Sequence, residues 1–496
     1  MNSFNRLARL LPLALVASPA LADQTVTIPA QTLTVPAQSV PSTTPKLSVA
    51  GNTMTVAAGS NLTVPARPVS VPAQSLVVPS DPALAAQITT IQAQLTSLQS
   101  AVTALQAGGA AASTPPATVN CPTTYQPSIT VGVGQTVPTF SALMGCYAAN
   151  TVILDGSSKV TIAAGTYTDT SDVPPALSGI DIGGAGAGKT IFDAIGKRLA
   201  WQKAIFHLGT ANASIHDMTL KNADYPASGK AEDAAVIEAD NSSGIYYEPY
   251  IAMPDGSKPA DMTSVGKLTV TRVHFISDQN GIKGLIDNNL TLVVSDCDFG
   301  DNTIAGANGW TNDGKSHNIY ASFGSVTVDH SNFFPALYGN DFKNRGPSTA
   351  ITNSYFLNAG WGTDQAGKVI GAARWIDMPN TGTATLSGNT YVIEDASGGG
   401  NVVGYGEEVG SGGQVVNGGG LASTDTGSTY YLGRANTAFN LMSGTSWTVT
   451  SAAVTWGANA YSVDPGAGTL IGIPTTVPSG ATRGTEPAAP AFVSGG

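Results

Sequence analysis

Between Leu268 and Asp377 the chain repeats one pattern of apolar and polar positions. Four segments carry it: LTVTRVHFISDQNGI (268–282), LTLVVSDCDFGDNTI (290–304), VTVDHSNFFPALYGN (326–340) and TAITNSYFLNAGWGT (349–363). Each is a short alternating apolar run, then a polar pair, an aromatic, and a turn rich in Asn, Asp and Gly. The aromatic falls at Phe275, Phe299, Phe334 and Phe356, at spacings of 24, 35 and 22 residues. The longest spacing carries an inserted stretch, GANGWTNDGKSHN. Weaker copies before and after put Leu220 and Tyr391 in the aromatic place. Alternation with period two marks strands rather than helices. Units of twenty-odd residues cannot bury their apolar faces alone but do so by stacking. The pattern predicts an all-β parallel solenoid with the aromatics in an internal stack.

Outside this block the pattern changes. Residues 23–80 repeat TIPAQTL, TVPAQSV, TVPARPV and SVPAQSL with a local period of seven. Pro in every unit blocks helix and central strand. The expectation is an extended stalk, polyproline-like or loosely β, or a disordered linker. Within 81–107, Leu84, Ile88, Ile91, Leu95, Leu98, Val102 and Leu105 follow an unbroken 4-3-4-3-4-3 spacing. That predicts a short coiled coil, with homo-oligomerisation and a trimer favoured, or an amphipathic helix packed on its own domain. Residues 108–125 read as a linker, and PTFSALMGCYAAN as a capping helix. The solenoid domain is expected over 126–460 and a flexible tail over 461–496.

The N-terminus reads as a cleaved secretory signal over 1–22. Arg6 and Arg9 precede the apolar LLPLALVA, and Ala20-Leu21-Ala22 is the cleavage site. That run is too short to span a membrane, and no other run approaches membrane length. The protein is therefore expected to be secreted or at the cell surface. Its low charge, 11% of residues, and its 57 Gly suit an extracellular β-protein. Loss of the signal takes the net charge from −11 to −13, which argues against nucleic acid as a partner. Any acidic-sugar site then needs local Lys and Arg or a bound cation. Of three Cys, Cys121 and Cys146 are placed to pair in an exported chain, and Cys297 reads as an inert buried thiol.

IDIGGAGAGKTIF contains a literal phosphate-loop pattern at Gly183 and Gly188-Lys189-Thr190. The next stretch, IFDAIGKRLAW, has no helical apolar face, and no strand–helix units surround it. A Gly-rich turn followed by a strand is expected, with no nucleotide.

On a solenoid, functional residues recur at one phase of consecutive coils. HNIYAS (317–322), GNDFKNRG (339–346) and AARWIDMP (372–379) come after the aromatic positions in successive coils. With Ile319, Phe342 and Ile376 inward, alternation sets Asn318, Asp341 and Trp375 outward in one ladder. Tyr320, Lys343 and Asp377 form the next. His317, Arg345 and Arg374 lie close by, and GYGEE adds Tyr405, Glu407 and Glu408. The chain has only 22 Lys and Arg and 5 His, so this gathering is informative. Such a set suits β-elimination on a uronate polymer. Lys343 or Arg345 would neutralise the carboxylate, while Tyr320 or His317 would serve as base or acid. Asn318, Asp341, Arg374, Trp375 and Asp377 would bind substrate. Paired acids would mean glycoside hydrolysis, but Asp341 and Asp377 stand on non-adjacent phases. The same residue types at solenoid turns also satisfy backbone groups.

These repeats, the AAGTYTD opening and the inserted HNIY resemble the pectin-lyase-like superfamily of right-handed parallel β-helix proteins. More narrowly, HNIY, then G-x-x-x-K-x-R, W-I-D-M-P-N and V-x-G-Y-G-E-E, resembles a group of secreted bacterial β-helix proteins of unassigned activity. That group's pattern is roughly H-N-x-Y, G-H-x-x-K-S-R-A, I-D-L-P-N-G and Y-G-x-E-G. The match covers about 150–440. It implies a right-handed parallel β-helix and polysaccharide as ligand. It leaves the metal open, with calcium frequent in the superfamily's lyases. Non-catalytic adhesins and tail-spike proteins share the fold. The chain lacks the W-I-D-H of pectate lyases and the N-T-D, D-D and G-H-G set of polygalacturonases. Asn340 stands where the narrower group has His, and Asn344 where it has Ser.

Overall fold

The computed structural model describes residues 119–194, 204–223, 243–247, 266–301, 308, 317–337, 339–358, 374–394, 401–409, 421–433, 436–460, 462–481 and 483–494, and the backbone of eight strands between Gln24 and Val78. Residues 1–116 and 117–496 are separate units. In the first, Gln24–Ile28 pairs antiparallel with Gln74–Val78, Gln31–Val35 with Arg67–Val71, Gln38–Pro41 with Asn61–Val64, and Lys46–Val49 with Asn52–Thr55. The four pairings nest as one long hairpin. The expectations for 1–22, for 81–107 and for most of 108–125 lie outside the described residues.

The second unit is a β-helix of three parallel sheets. The first sheet stacks strands from Ser128–Val131 to Thr469–Ile471, the second from Gly165–Tyr167 to Ala453–Trp456, and the third from Ser171–Val173 to Ser462–Gly466. Four long strands turn a corner and serve two sheets: Asn212–Lys221, Gly266–Ile276, Ile282–Ser295 and Ile319–Asp329. Every strand pair named in the stack is parallel, so each connection between paired strands is a crossover.

The corner from first to second sheet is one residue with positive φ in eight successive coils: Asp217, Arg272, Asp296, His330, Asn353, Gly388, Gly427 and Ser451. Three residues later comes the internal ladder: Leu220, Phe275, Phe299, Phe333, Phe356, Tyr391 and Tyr430. Its rings stack face to face, Phe275–Phe299 at 4.9 Å, Phe299–Phe333 at 4.7 Å and Phe333–Phe356 at 4.5 Å. The stack thus contains Phe333, not Phe334 as the pattern suggested. In SNFF either Phe satisfies the composition, and the count from His330 decides. Phe334 points outward.

One residue past the corner, side chains cap the coil beneath. Ser331 Oγ accepts from Cys297 N, Ser354 Oγ from Ser331 N, Asn389 Oδ1 from Ser354 N and Ser428 Oγ from Asn389 N. Cys297 is free and buried in this row, and burial pushes its thiol up to about 12. The helix Phe140–Ala149 closes the N-terminal end, with Thr139 Oγ1 accepting from Ala142 N at 3.1 Å. Cys121 and Cys146 are joined by a disulfide across this cap. The phosphate-loop motif is strand Ile180–Gly183, a turn, and strand Thr190–Asp193.

The last residues depart from a simple flexible tail. Ser462–Gly466 and Thr469–Ile471 are strands of the helix. The chain then returns along the second sheet. Val493 and Ser494 donate backbone N–H groups to the buried Asp298 carboxylate, and Asn332 Nδ2 donates to Ala491 O. Phe492 lies 4.6 Å from His274 and 5.7 Å from Phe334. It borders an outer apolar cluster of Phe334, Tyr355, Leu357, Val392 and Tyr431. Those outward apolar side chains explain the return, because left bare they would present a patch to water.

Candidate functional site

The third sheet carries the polar ladder. Strand registers align Asp172, His207, Tyr246, Lys283, Tyr320, Lys343, Asp377 and Gly404 on successive coils. Tyr320, Lys343 and Asp377 therefore share one face, one coil apart, as alternation from Ile319, Phe342 and Ile376 predicts. Lys283 lies on the same ladder and was missed. The same alternation from Ile282 identifies it.

At Tyr320 three cations surround one ring. Lys283 Nζ is 5.0 Å, Lys343 Nζ 5.7 Å and Arg345 Cζ 5.9 Å from its centroid. Arg345 Nε donates to the Tyr320 hydroxyl at 3.2 Å. From here the charges alternate across the coils. Arg345 Nη1 meets Glu408 at 2.6 Å, Glu408 meets Lys343 Nζ at 3.0 Å, and Lys343 Nζ meets Asp377 at 3.0 Å. Asp377 meets Arg374 at 3.2 Å, and Arg374 pairs with Glu407. Asn340 Nδ2 donates to Asp377 Oδ2 at 2.8 Å, and Asn380 Oδ1 accepts from Arg345. Gly404 leaves room for this chain: a Cβ there would lie 2.6 Å from Asp377 Oδ1 and 2.9 Å from Arg374 Nε.

Burial and neighbours set the protonation states. Burial pushes Glu407 up, against Arg374. Burial pushes Glu408 the same way, but Arg345 and Lys343 outweigh it and hold its carboxyl below the usual range. His317 is held well below the ordinary imidazole range by burial and then by Lys343, Lys283, Arg345 and Arg374. Its Nδ1 accepts from Asn340 N at 2.9 Å, so the neutral ring carries its proton on Nε2. Its edge meets Tyr320 at 4.9 Å.

Asp377, on the ladder, is 0% exposed beneath Lys343, Arg374 and Asn340 and so is closed to a ligand, and three further residues expected on the outer face are inside instead. Asn318, Asp341 and Trp375 are all 0% exposed. They occupy the corner between second and third sheets, where alternation fails and two consecutive residues turn inward. Trp375 packs against Tyr391 at 5.3 Å and donates Nε1–H to Val392 O. Asn318 Nδ2 donates to Phe334 O and Asp341 Oδ1, and Asp341 Oδ1 also accepts from Ala336 N. These groups satisfy the turn. The structure thus brings together His317, Tyr320, Lys343, Arg345, Arg374 and Asp377, and adds Lys283, Asn340, Asn380, Glu407 and Glu408. The carboxylates here do not fit calcium, since Asp377, Glu407 and Glu408 are each bound by Lys or Arg. Among the described residues no helix is long and apolar enough to cross a membrane.

No protein-family model matches the sequence, and no curated protein is similar to it. Similar solved structures are right-handed parallel β-helix proteins of the pectin-lyase-like superfamily. The pectin methylesterase PemA from Erwinia chrysanthemi is 12% identical, with TM-score 0.28, covering 63% of this chain and 81% of that one. A pectin methylesterase from Aspergillus niger is 10% identical, with TM-score 0.28, over 73% and 94%. The A-module of the mannuronan C-5 epimerase AlgE4 from Azotobacter vinelandii is 13% identical, with TM-score 0.28, over 66% and 88%. The β-helix itself rests on the strand pairing above.

Proposed function

We propose that the third-sheet face binds an acidic polysaccharide whose chain runs along the helix axis. The observation that carries this reading is the Lys283–Tyr320–Lys343–Asp377 ladder flanked by Arg345 and Arg374. Coils of a parallel helix rise about 4.8 Å, so sugar units along the axis meet a fresh polar row at each step. Tyr320 offers a ring face, and Lys343 and Arg345 offer charge-assisted donors to a uronate carboxylate.

The reaction these groups support is β-elimination. Lys343 and Arg345 would hold the carboxylate and acidify the C5 proton. Tyr320, its oxygen 3.2 Å from Arg345 Nε, would be the base that takes that proton. A C4–C5 double bond forms as the C4–O bond breaks, and the leaving oxygen takes that proton back from the Tyr320 hydroxyl, since neutral His317 has no acidic proton to give. His317 does not serve as base through Nδ1, which Asn340 N occupies. The competing reading is a non-catalytic surface protein presenting a rigid rod. It is favoured by the pairing of Lys343, Arg345 and Arg374 with carboxylates of the chain itself.

The test is incubation with pectate, alginate and glycosaminoglycans, with and without calcium, tracking the absorbance of unsaturated uronates. The proposal expects signal with at least one polymer and its loss in Lys343→Ala. No signal on any polymer, with binding lost in Lys343→Ala, leaves a binding protein. Binding that is absent, or unchanged in Lys343→Ala, removes the site. As further proposals, 1–22 directs export and 84–105 joins copies, a trimer being favoured.

A further inference from the structure

The first sheet carries a second regular surface, opposite in character to the ladder. Its outward positions, over seven coils, are Lys267, Thr269, Thr271; Thr291, Val293, Ser295; Ser325, Thr327, Asp329; Ser348, Ala350, Thr352; Thr383, Thr385, Ser387; Ala422, Thr424, Thr426; and Ser446, Thr448, Thr450. Sixteen of these twenty-one are Ser or Thr, against about a fifth of the whole chain. The residues between them point into the core, as in the eBeBi pattern of Thr383–Ser387 and the eBeBe pattern of Ala422–Thr426. No aromatic or long apolar side chain stands on this face. Its two charges, Lys267 and Asp329, lie in the outer columns.

The columns form a grid. Neighbouring coils stand about 4.8 Å apart and alternate residues about 6.8 Å apart along a strand. Pairing within the face runs from Ser348 to Thr352 against Thr383 to Ser387, and from Ala422 to Thr426 against Ser446 to Thr450, without a register shift. Hydroxyls touch across coils at 3.1 Å in Thr271–Ser295 and in Thr426–Thr450. Thr is stiff at χ1, so its hydroxyl and methyl hold fixed places on a rigid sheet.

The missing groups narrow the occupant. A protein partner is anchored by aromatic and Arg side chains, and none stands here. A dissolved sugar needs a ring platform, and a polyanion needs basic charge. What remains is a repeating lattice, uncharged except at two outer positions, in which sixteen of twenty-one side chains are hydroxyls that both donate and accept hydrogen bonds. The hydroxyl is the neutral side-chain group that does both from one atom. Ice is such a lattice. We propose that the threonine–serine face of the first sheet binds ice, holding surface waters in register between hydroxyl and methyl columns. This inference is independent of the polysaccharide reading, which uses the third sheet.

The test uses the full chain. Partition into slowly grown ice and inhibition of ice recrystallisation are measured against albumin, alongside circular dichroism, melting temperature and light scattering. The expected result is uptake into ice and arrest of recrystallisation, both lost in the Thr385→Lys/Thr424→Lys variant with unchanged dichroism and melting. Thr424→Ser, which keeps the hydroxyl, should retain more activity than Thr424→Lys. Exclusion of the unmodified protein from ice, as for albumin, overturns the proposal. So does equal uptake of the double variant. A dimer that the double variant splits would assign the face to self-association and also overturn it.

Discussion

Glu408 lies where a ligand carboxylate would be held, between Lys343 and Arg345 and next to Tyr320. An incoming uronate must displace it. Glu408→Gln should therefore raise affinity for the polyuronate that binds, measured by calorimetry, whereas a purely structural Glu408 would leave affinity unchanged or lower it. Two buried groups set opposite pH slopes. Burial raises Asp341 well above the carboxylate range. Its unfolded value is about 3.9, so its contribution is complete below that pH and is lost as pH rises through the folded value. His317 is depressed, so its contribution is present above about 6.5 and is lost as pH falls through the folded value. Asp341→Asn keeps the acceptor for Ala336 N and removes a burdened carboxyl. It should raise the melting temperature at pH 8 more than at pH 4, and an equal change at both would refute the protonation argument. The ladder residues were legible because alternation needs only one inward anchor per coil. Trp375, Asp341 and Asn318 were misplaced because a corner abolishes alternation and sequence does not mark where it falls.

At the scale of elements, the positive-φ corner governs more than the aromatic does. Counting three residues from it recovers every member of the stack, including Phe333, whereas composition cannot choose between Phe333 and Phe334. Ser451, at φ 55°, is the simplest probe. Ser451→Gly should stabilise and Ser451→Val destabilise by about 1–2 kcal/mol, read by denaturant melts. If the two variants behave alike, the corner does not constrain the backbone. Phe299 is stacked on both sides and fully buried. Phe299→Ala should cost about 3–5 kcal/mol, measured the same way. The Ser and Asn caps beside the corner were not foreseen, because a cap between coils joins residues more than twenty apart in sequence.

For the whole molecule, the returning C-terminal segment ties the end of the chain to coils near its middle. Removing residues 484–496 takes two backbone donors from the Asp298 carboxylate, leaving it Asn332 Nδ2, and bares Phe334, Tyr355 and Leu357. The truncated protein should bind a hydrophobic dye and melt earlier, and unchanged dye binding would show that the segment does not cover the patch. Light scattering of the full chain against one lacking residues 81–107 tests the proposed self-association, which a monomer in both cases would end. The single-residue corner between first and second sheets also bears on how such a chain can change through evolution. Eight coils cross it with no spare residue. An insertion there would throw the aromatic off its phase, while sequence added at the other two corners leaves the stack intact. New recognition loops can therefore be acquired around the ladder without renegotiating the core, and whole coils can be duplicated so long as that one corner keeps its count.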